Sequence, residues 1–272
     1  MSINRNYDCL LGINLVRNYG LYSVFDSLTC FCSVLSYKID TIVEATMNCT
    51  RCSKRVKVQT RHVQLSEYFM PGNIFRLDCN ICATFIAVKD NNNDIVAVDE
   101  IINDNIDNSW READTRRERI IYYILCQIIY PELDTPRIDK FESLYDLADP
   151  CDKIILKWLG GKAIGFYTIK PKGTEIRVTK EKYEMHTLDT AYIRSQYRNR
   201  GFGLELLSDL VRRFPNEDIG FSRPISNGMC KVLTRFLSER KECRLHFWEV
   251  EGVGDEGRRK LIWFLLKKRI SG

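Results

Sequence analysis

Two sets of residues in this chain have the types and spacing of working chemistry. The first, Arg198-Asn199-Arg200-Gly201-Phe202-Gly203, lies where an extended segment, 188–193, gives way to a helical one, 204–214. A glycine-rich turn at a strand-to-helix junction lets backbone N–H groups close on a diphosphate, with the positive end of the helix dipole behind them. Gly201 and Gly203 permit close approach of backbone to phosphate, and Arg198 and Arg200 add charge. The competing reading is an Arg/Gly turn that joins strand to helix and holds no ligand.

The second set is Cys49-x2-Cys52 and Cys79-x2-Cys82, separated by 26 residues. Two such knuckles suit a tetrahedral four-thiolate zinc site, each pair gripping one side of the metal. The separation exceeds the roughly 15–20 residues of simple ribbons. Arg51, Lys54, Arg55 and Lys57 sit in and just after the first knuckle and favour thiolates. The alternative is four free thiols. A bound zinc would hold together a region with little core of its own. The other seven of the eleven cysteines lack ligand spacing and read as small apolar core residues.

The elements that must position these groups follow from pattern. Two β-rich runs, 83–88 and 94–98, flank Asp90-Asn91-Asn92-Asn93 and predict a hairpin. Residues 102–114 read as a loop with a helical start. Ile120, Ile121, Ile124, Leu125, Ile128 and Ile129 recur at helical spacing over 115–130, and Pro131 is expected to end that helix. Residues 131–150, with three prolines and six acids, read as a linker. Residues 154–159 and 163–169 around Gly160-Gly161 predict a tight hairpin. A strand with a charged face is expected over 175–185. Strands at 186–194, 219–221 and 244–250 then alternate with helices at 204–214 and 226–239, the latter capped by Ser226 or Asn227. Residues 1–45 show no clear period and read as short helix or strand pieces. The fold class is α+β, a mixed central sheet flanked by helices, with an N-terminal region at 1–110 and a second domain at 111–272.

That order around the glycine-rich turn resembles the GNAT-type N-acetyltransferases. Ala163-Ile164-Gly165-Phe166-Tyr167 resembles the strand before their cofactor strand. Tyr197 to Gly203, followed by Leu206 and Leu207, resembles their diphosphate turn and helix, and Pro224-Ile225-Ser226-Asn227 the opening of their next helix. More narrowly, ILKWLGGKAIGFYTIKPKGT, TLDTAYIRSQYR and FWEVEGVG resemble the soluble lamin-associated protein family, also called the family with sequence similarity 169. Its members are GNAT-like by fold, are linked to the nuclear envelope and have no well-established reaction.

The resemblance implies acetyl-CoA as ligand and an amine as acceptor. The pantetheine arm would pair with the backbone around Tyr192 and Ile193, and the diphosphate would meet Arg198, Asn199, Arg200, Gly201, Phe202 and Gly203, with Asn227 nearby. Asp189 is the first candidate for the base that takes the amine proton, with His186 and Glu184 as alternates. A purely structural role for Asp189 is an equal alternative. The family's acid, a Tyr seven residues after the Asn, falls here on Thr234, which has no suitable proton. Tyr192, Tyr167 or water would have to serve, or the domain binds acyl-CoA without turning it over.

Composition narrows the setting. The chain has 272 residues, and residues 1–150 carry 16 Lys+Arg against 21 Asp+Glu, whereas residues 151–272 carry 25 against 15. A basic C-terminal half suits an anionic partner such as CoA or nucleic acid, or is simply a solvated surface. No apolar run approaches the roughly 18 residues that cross a bilayer. The N-terminus lacks the pattern of a signal peptide, so an intracellular setting, nucleus or cytoplasm, is expected. Three functions stand: an acyl-CoA-dependent N-acyltransferase, an inactive GNAT-like scaffold at the nuclear periphery associated with lamina or chromatin, and a zinc-stabilised nucleic-acid reader.

Overall fold

Residues 37–272 form one compact unit. The computed structural model describes residues 39–49, 51–63, 74–89, 95–103, 108–176 and 179–271. The pieces expected before residue 39 and the Asx turn at 90–93 lie outside the described residues.

The first sheet is an antiparallel meander of β1 (Ile39–Cys49), β2 (Lys54–Val63), β3 (Ile74–Cys79), β4 (Phe85–Lys89) and β5 (Ile95–Ala97). The predicted hairpin is β4–β5, with Ala87 opposite Ala97. Val56 and Val58 alternate with exposed Arg55 and Lys57, the period of a strand with one buried face. Phe85 and Val88 of β4 pack instead into the core around the helix that follows.

A short helix α1 (Val98–Ile101) leads to β6 (Trp110–Glu112), a strand inside the expected loop. Three residues carry too little alternation to be read alone; pairing with the next strand, Trp110 opposite Lys157, makes β6 a strand. Helix α2 (Arg116–Ile124) starts at a capping box, Thr115 with Glu118, which offsets the arginines in its first turn.

Pro131 does not end this helix. The chain continues as a π-helix, Leu125–Asp134, with Pro131 inside it. A π-helix bonds five residues back and is wider, so the ring crowds the preceding turn less. The stretch after it is no linker but a strap laid on the sheet. Tyr145 stacks on Tyr130 with centroids 4.8 Å apart. Gln127 donates to the Tyr145 carbonyl at 2.7 Å, and the backbone N–H of Ala148 donates to the Tyr122 hydroxyl at 3.0 Å.

The second sheet has seven strands in the order β12-β11-β10-β9-β8-β7-β6. β7 (Lys153–Leu159) and β8 (Lys162–Lys170) form the predicted hairpin. β9 (His186–Ile193) leads to helix α3 (Phe202–Arg213), and β10 (Ile219–Ser222) to helix α4 (Asn227–Glu239), whose cap is Ser226. β11 (Phe247–Val250), β12 (Arg259–Leu261) and α5 (Ile262–Ser271) complete the domain. The strand expected over 175–185 is not formed among the described residues, where one isolated bridge joins Glu175 to Lys182. β12 and α5 escaped the sequence reading; β12 is three residues long and exists through its pairing with β11.

β9, β10 and β11 run parallel to one another and the remaining pairs are antiparallel. Alternate residues of β7 feed opposite faces. Ile154, Leu156 and Trp158 pack with α2 and the π-helix, whereas Ile155 faces the core of α3, α4 and α5. The sheet is mixed, with helices on both faces.

Candidate functional site

β9 and β10 pair through only three positions, His186 with Ile219, Thr187 with Gly220 and Leu188 with Phe221. β9 then runs on to Ile193 while β10 ends at Ser222 and the chain turns away through a cis Arg223–Pro224 bond. The strands part where their pairing stops. At the parting point β9 carries a bulge: Thr168 opposes Thr190 and Ile169 opposes Leu188, which leaves Asp189 as the extra residue. A bulge re-aims a side chain and weakens pairing locally. Here Asp189 accepts from the Ser222 hydroxyl at 2.8 Å, across the mouth of the gap.

Two cavities occupy this opening. One, of about 490 Å³, lies between β9, the turn before α3, and α4. Tyr192, Ile193, Arg198, Asn199, Gly201, Phe202 and Gly203 line it, with Arg137 and Glu142 of the strap and Lys231 and Arg235 of α4. Its side chains thus bring four cations and one carboxylate. Gly201 is the N-cap of α3 at φ +89° and offers no side chain to the first helical N–H groups. Those donors are left for a ligand. A Cβ on Gly203 would come within 2.8 Å of Val232, so this glycine lets α3 and α4 approach.

The remaining expected cofactor residues are placed differently. Arg200 stands outside the cavity wall, its guanidinium 5.5 Å from the Tyr197 ring centroid. Asn227 is the first residue of α4 and is exposed, while its neighbours Ser226 and Gly228 line the cavity. Arg198 donates to the Ile193 carbonyl at 2.9 Å and to Glu142 at 3.2 Å. Burial acts to raise the Glu142 pKa, but Arg137 and Arg198 outweigh it and hold that carboxyl below its usual range. The Tyr192 hydroxyl donates to Asp134 at 2.6 Å, and the same carboxylate takes the backbone N–H and hydroxyl of Ser195. Asp134 therefore fastens the end of β9 to the end of the π-helix.

The second cavity, of about 480 Å³, holds Asp189 in its wall. Asp146, Asp149, Lys170 and Arg223 supply its other charges, and Phe141, Leu144 and Leu147 its apolar rim. Lys170 donates to Asp149 at 2.8 Å and Asp152 at 3.0 Å and stands 4.0 Å from Asp189. Burial acts to lower the Lys170 pKa, but the carboxylates of Asp189, Asp152 and Asp149 raise it above the usual range. The two cavities share Tyr145, Ala191, Ser226 and Met229, so they meet at Ala191 on β9.

Of the three candidate bases, Asp189 lines a cavity. His186 sits at the far end of β9, stacked on Phe214 at 3.9 Å, with Nδ1 accepting from the Lys172 N–H. Glu184 uses its backbone N–H on the Val253 carbonyl and lines neither cavity. Thr234 donates its hydroxyl to the Cys230 carbonyl at 2.8 Å. Tyr167 is buried and donates to Asp209. Tyr145 lines both cavities and was not singled out from the sequence, where it lies in a stretch that reads as a linker.

The four cysteines come together at the tips of two hairpins, the β1–β2 turn and the β3–β4 turn. Their sulfurs all lie within 4.8 Å of one another, with Cys49 to Cys82 at 3.6 Å and Cys52 to Cys79 at 3.9 Å. A tetrahedral zinc with Zn–S near 2.3 Å places its sulfurs about 3.8 Å apart, so the donor set fits. The N–H groups of Ile81 and Cys82 point at the Cys79 sulfur at 3.4 and 3.5 Å. The Cys82 sulfur donates to the Thr84 hydroxyl at 3.3 Å; hydrogen bonding with Thr84 brings the Cys82 pKa down to about 6, whereas burial pushes that of Cys52 up to about 11.

Residues 114–226 match the acetyltransferase (GNAT) family. The chain is 31% identical to mouse Protein FAM169B over 161 residues, 57% of this chain and 47% of that protein. It is 31% identical to human Protein FAM169BP over 114 residues, 41% of this chain and 59% of that protein. It thus spans about half the length of the curated relatives it matches. A ribosomal-protein-alanine N-acetyltransferase from Brucella melitensis biovar Abortus 2308 superposes with a TM-score of 0.22 at 15% identity, over 34% of this chain and 65% of that one. The divergent β9 and β10, the uncapped turn before α3 and the family match agree: this chain is a GNAT-fold protein similar to the FAM169B proteins.

Proposed function

We propose that this protein binds acetyl-CoA between β9, α3 and α4 and transfers the acetyl group to an amine. The observation that carries the reading is the parting of β9 from β10 at the Asp189 bulge, with two cavities that meet at Ala191. Bound acetyl-CoA supplies a thioester carbonyl open to attack by an amine.

The chain's own groups divide the work. The N–H groups of Phe202 and Gly203, together with Arg198 and the cations Arg137, Lys231 and Arg235, hold the phosphates. The open edge of β9 takes the pantetheine amides. Asp189 receives the amine proton in the second cavity. Its acidic wall of Asp146, Asp149 and Asp189 suits a cationic acceptor that sheds one proton on arrival. The test is calorimetry with acetyl-CoA followed by thiol release in the presence of amines. Absence of binding would remove the reading.

A second reading, acyl-CoA binding without turnover, is favoured by Thr234, whose hydroxyl is committed to its own helix. A role at the nuclear periphery, with lamina or chromatin as partner, rests on the resemblance to the soluble lamin-associated family. For the four-cysteine cluster we propose zinc, held as a clip between the two hairpins. One zinc per chain by elemental analysis is the expected stoichiometry.

A further inference from the structure

The reading of an acetyl transfer leaves one proton unassigned, the one that the departing thiolate must take. Thr234 lines neither cavity, and Tyr167 is buried against Asp209 and lines neither as well. Tyr192 lines the first cavity, but its hydroxyl donates to the Asp134 carboxylate at 2.6 Å, a charge-assisted bond harder to give up than one to a neutral carbonyl.

Tyr145 stands elsewhere. Its hydroxyl donates at 3.1 Å to the neutral carbonyl of Ala191, the residue of β9 at which the two cavities meet, so its proton already points along that strand edge. That carbonyl faces the open edge of β9. Arg194 donates to Ile164 across β8, and the antiparallel alternation then turns the groups of Ala191 and Ile193 away from β8. The Ile193 carbonyl, capped by Arg198, agrees. The tyrosine ring is held from two sides, stacked on Tyr130 and edge-on to Phe166 at 6.2 Å. A rigid ring therefore presents one hydroxyl to the strand edge along which the acyl carrier lies.

We propose that Tyr145 is the general acid of the transfer, supplied by the strap rather than by α4. This rests on the acetyl-CoA reading above. As the C–S bond breaks, its electron pair passes to sulfur and the Tyr145 hydroxyl proton follows, leaving a phenolate. The nitrogen that formed the new C–N bond has given its proton to Asp189. Return of that proton to Tyr145 through solvent restores both groups, so protons and charge balance over the cycle.

The experiment compares wild type, Tyr145→Phe and Tyr122→Phe. Tyr145→Phe keeps the ring and removes the donor. Tyr122 lines neither cavity, and Tyr122→Phe removes a different tether of the same strap, the hydroxyl that accepts the Ala148 N–H. The first readout needs no turnover: calorimetric Kd for CoA and desulfo-CoA at pH 9, where a donor at the sulfur favours bound thiolate. Wild type and Tyr122→Phe are expected to prefer CoA about tenfold, and Tyr145→Phe to lose that preference. The second is thiol release from acetyl-CoA with a mixture of lysine peptides and polyamines. Tyr145→Phe should lower kcat about 100-fold with acetyl-CoA affinity within about twofold of wild type. An unchanged preference and kcat in Tyr145→Phe overturns the assignment while leaving the acetyl-CoA reading in place. Equal losses in Tyr122→Phe reduce Tyr145 to a strut and also overturn it. A wild type that binds but does not turn over overturns it in favour of the binding module, and one that does not bind acetyl-CoA ends both readings.

Discussion

The two sheets of this protein meet the same requirement, holding strands in register, by different means. The seven-stranded sheet is packed on both faces by large side chains, Trp158, Tyr122 and Phe166 on one and Tyr167, Phe221 and Phe247 on the other. The five-stranded sheet has, among the described residues, a cluster of seven, two of which are Cys49 and Cys79. Apolar packing on both faces lets β9 and β10 separate without losing the fold, and the gap becomes the site. The smaller sheet lacks that reserve, and its two hairpin tips meet at four cysteine sulfurs, the zinc site proposed above. One sheet is packed on both faces and opens at β9 and β10; in the other the hairpin tips converge on four sulfurs.

The comparison is most exposed to removal of metal. A structural zinc contributes on the order of 10–16 kcal/mol to a small metal-held fold. On the zinc proposal, stripping the metal with a strong chelator should collapse amide protection in β2, β3 and β4 while protection in β7, β8 and β9 stays within a factor of about three, as read by hydrogen exchange. Uniform loss over both sheets would break the distinction. On the other side, Trp158→Ala empties a fully buried position and should cost about 3–5 kcal/mol in denaturant unfolding. Its loss should leave zinc content unchanged.

The site itself gives the next effects. Gly201→Glu places a β-carbon at a left-handed φ and a carboxylate beside the phosphate donors, and should weaken acetyl-CoA binding about 100-fold by calorimetry. Asp189→Asn should lower kcat about 100-fold and leave acetyl-CoA affinity nearly unchanged. A Kd that weakens in parallel would place Asp189 among the structural residues of the bulge. The smallest effect is Glu142→Gln, about 1 kcal/mol of stability near neutral pH. Because the folded state depresses the Glu142 pKa, its contribution is present above the unfolded value near 4.5 and is lost as pH falls through the folded value. The difference between wild type and variant in thermal unfolding should therefore shrink on acidification.

Local chemistry was legible and long-range pairing was not. The turn at 198–203, the Gly160-Gly161 hairpin and the Ser226 cap each depend on residues adjacent in the chain, and each appears where the pattern places it. β6 and β12, three residues each, owe their conformation to partner strands. Pro131 signals a helix stop, yet the buried Ile128, Ile129 and Tyr130 before it and the Asp134 anchor after it carry the chain on in a wider helix. The strap at 135–149 has the prolines and acids of a linker, and its tyrosine counts for little until Tyr130 and Ala191 are brought beside it.

By itself the sequence determined which groups were available: a glycine-rich turn between strand and helix, two thiol pairs at ligand spacing, a carboxylate on the strand before that turn and a threonine, Thr234, where the resemblance implies a tyrosine. Tertiary structure alone decided which of them meet. It brought four sulfurs within bonding distance of one metal, parted β9 from β10 at a one-residue bulge, and laid Tyr145 against the opening. The reason is physical. Turn conformation, helix capping and strand period are set by neighbours in the chain, whereas register, gaps and the partners of a side chain depend on residues dozens of positions away.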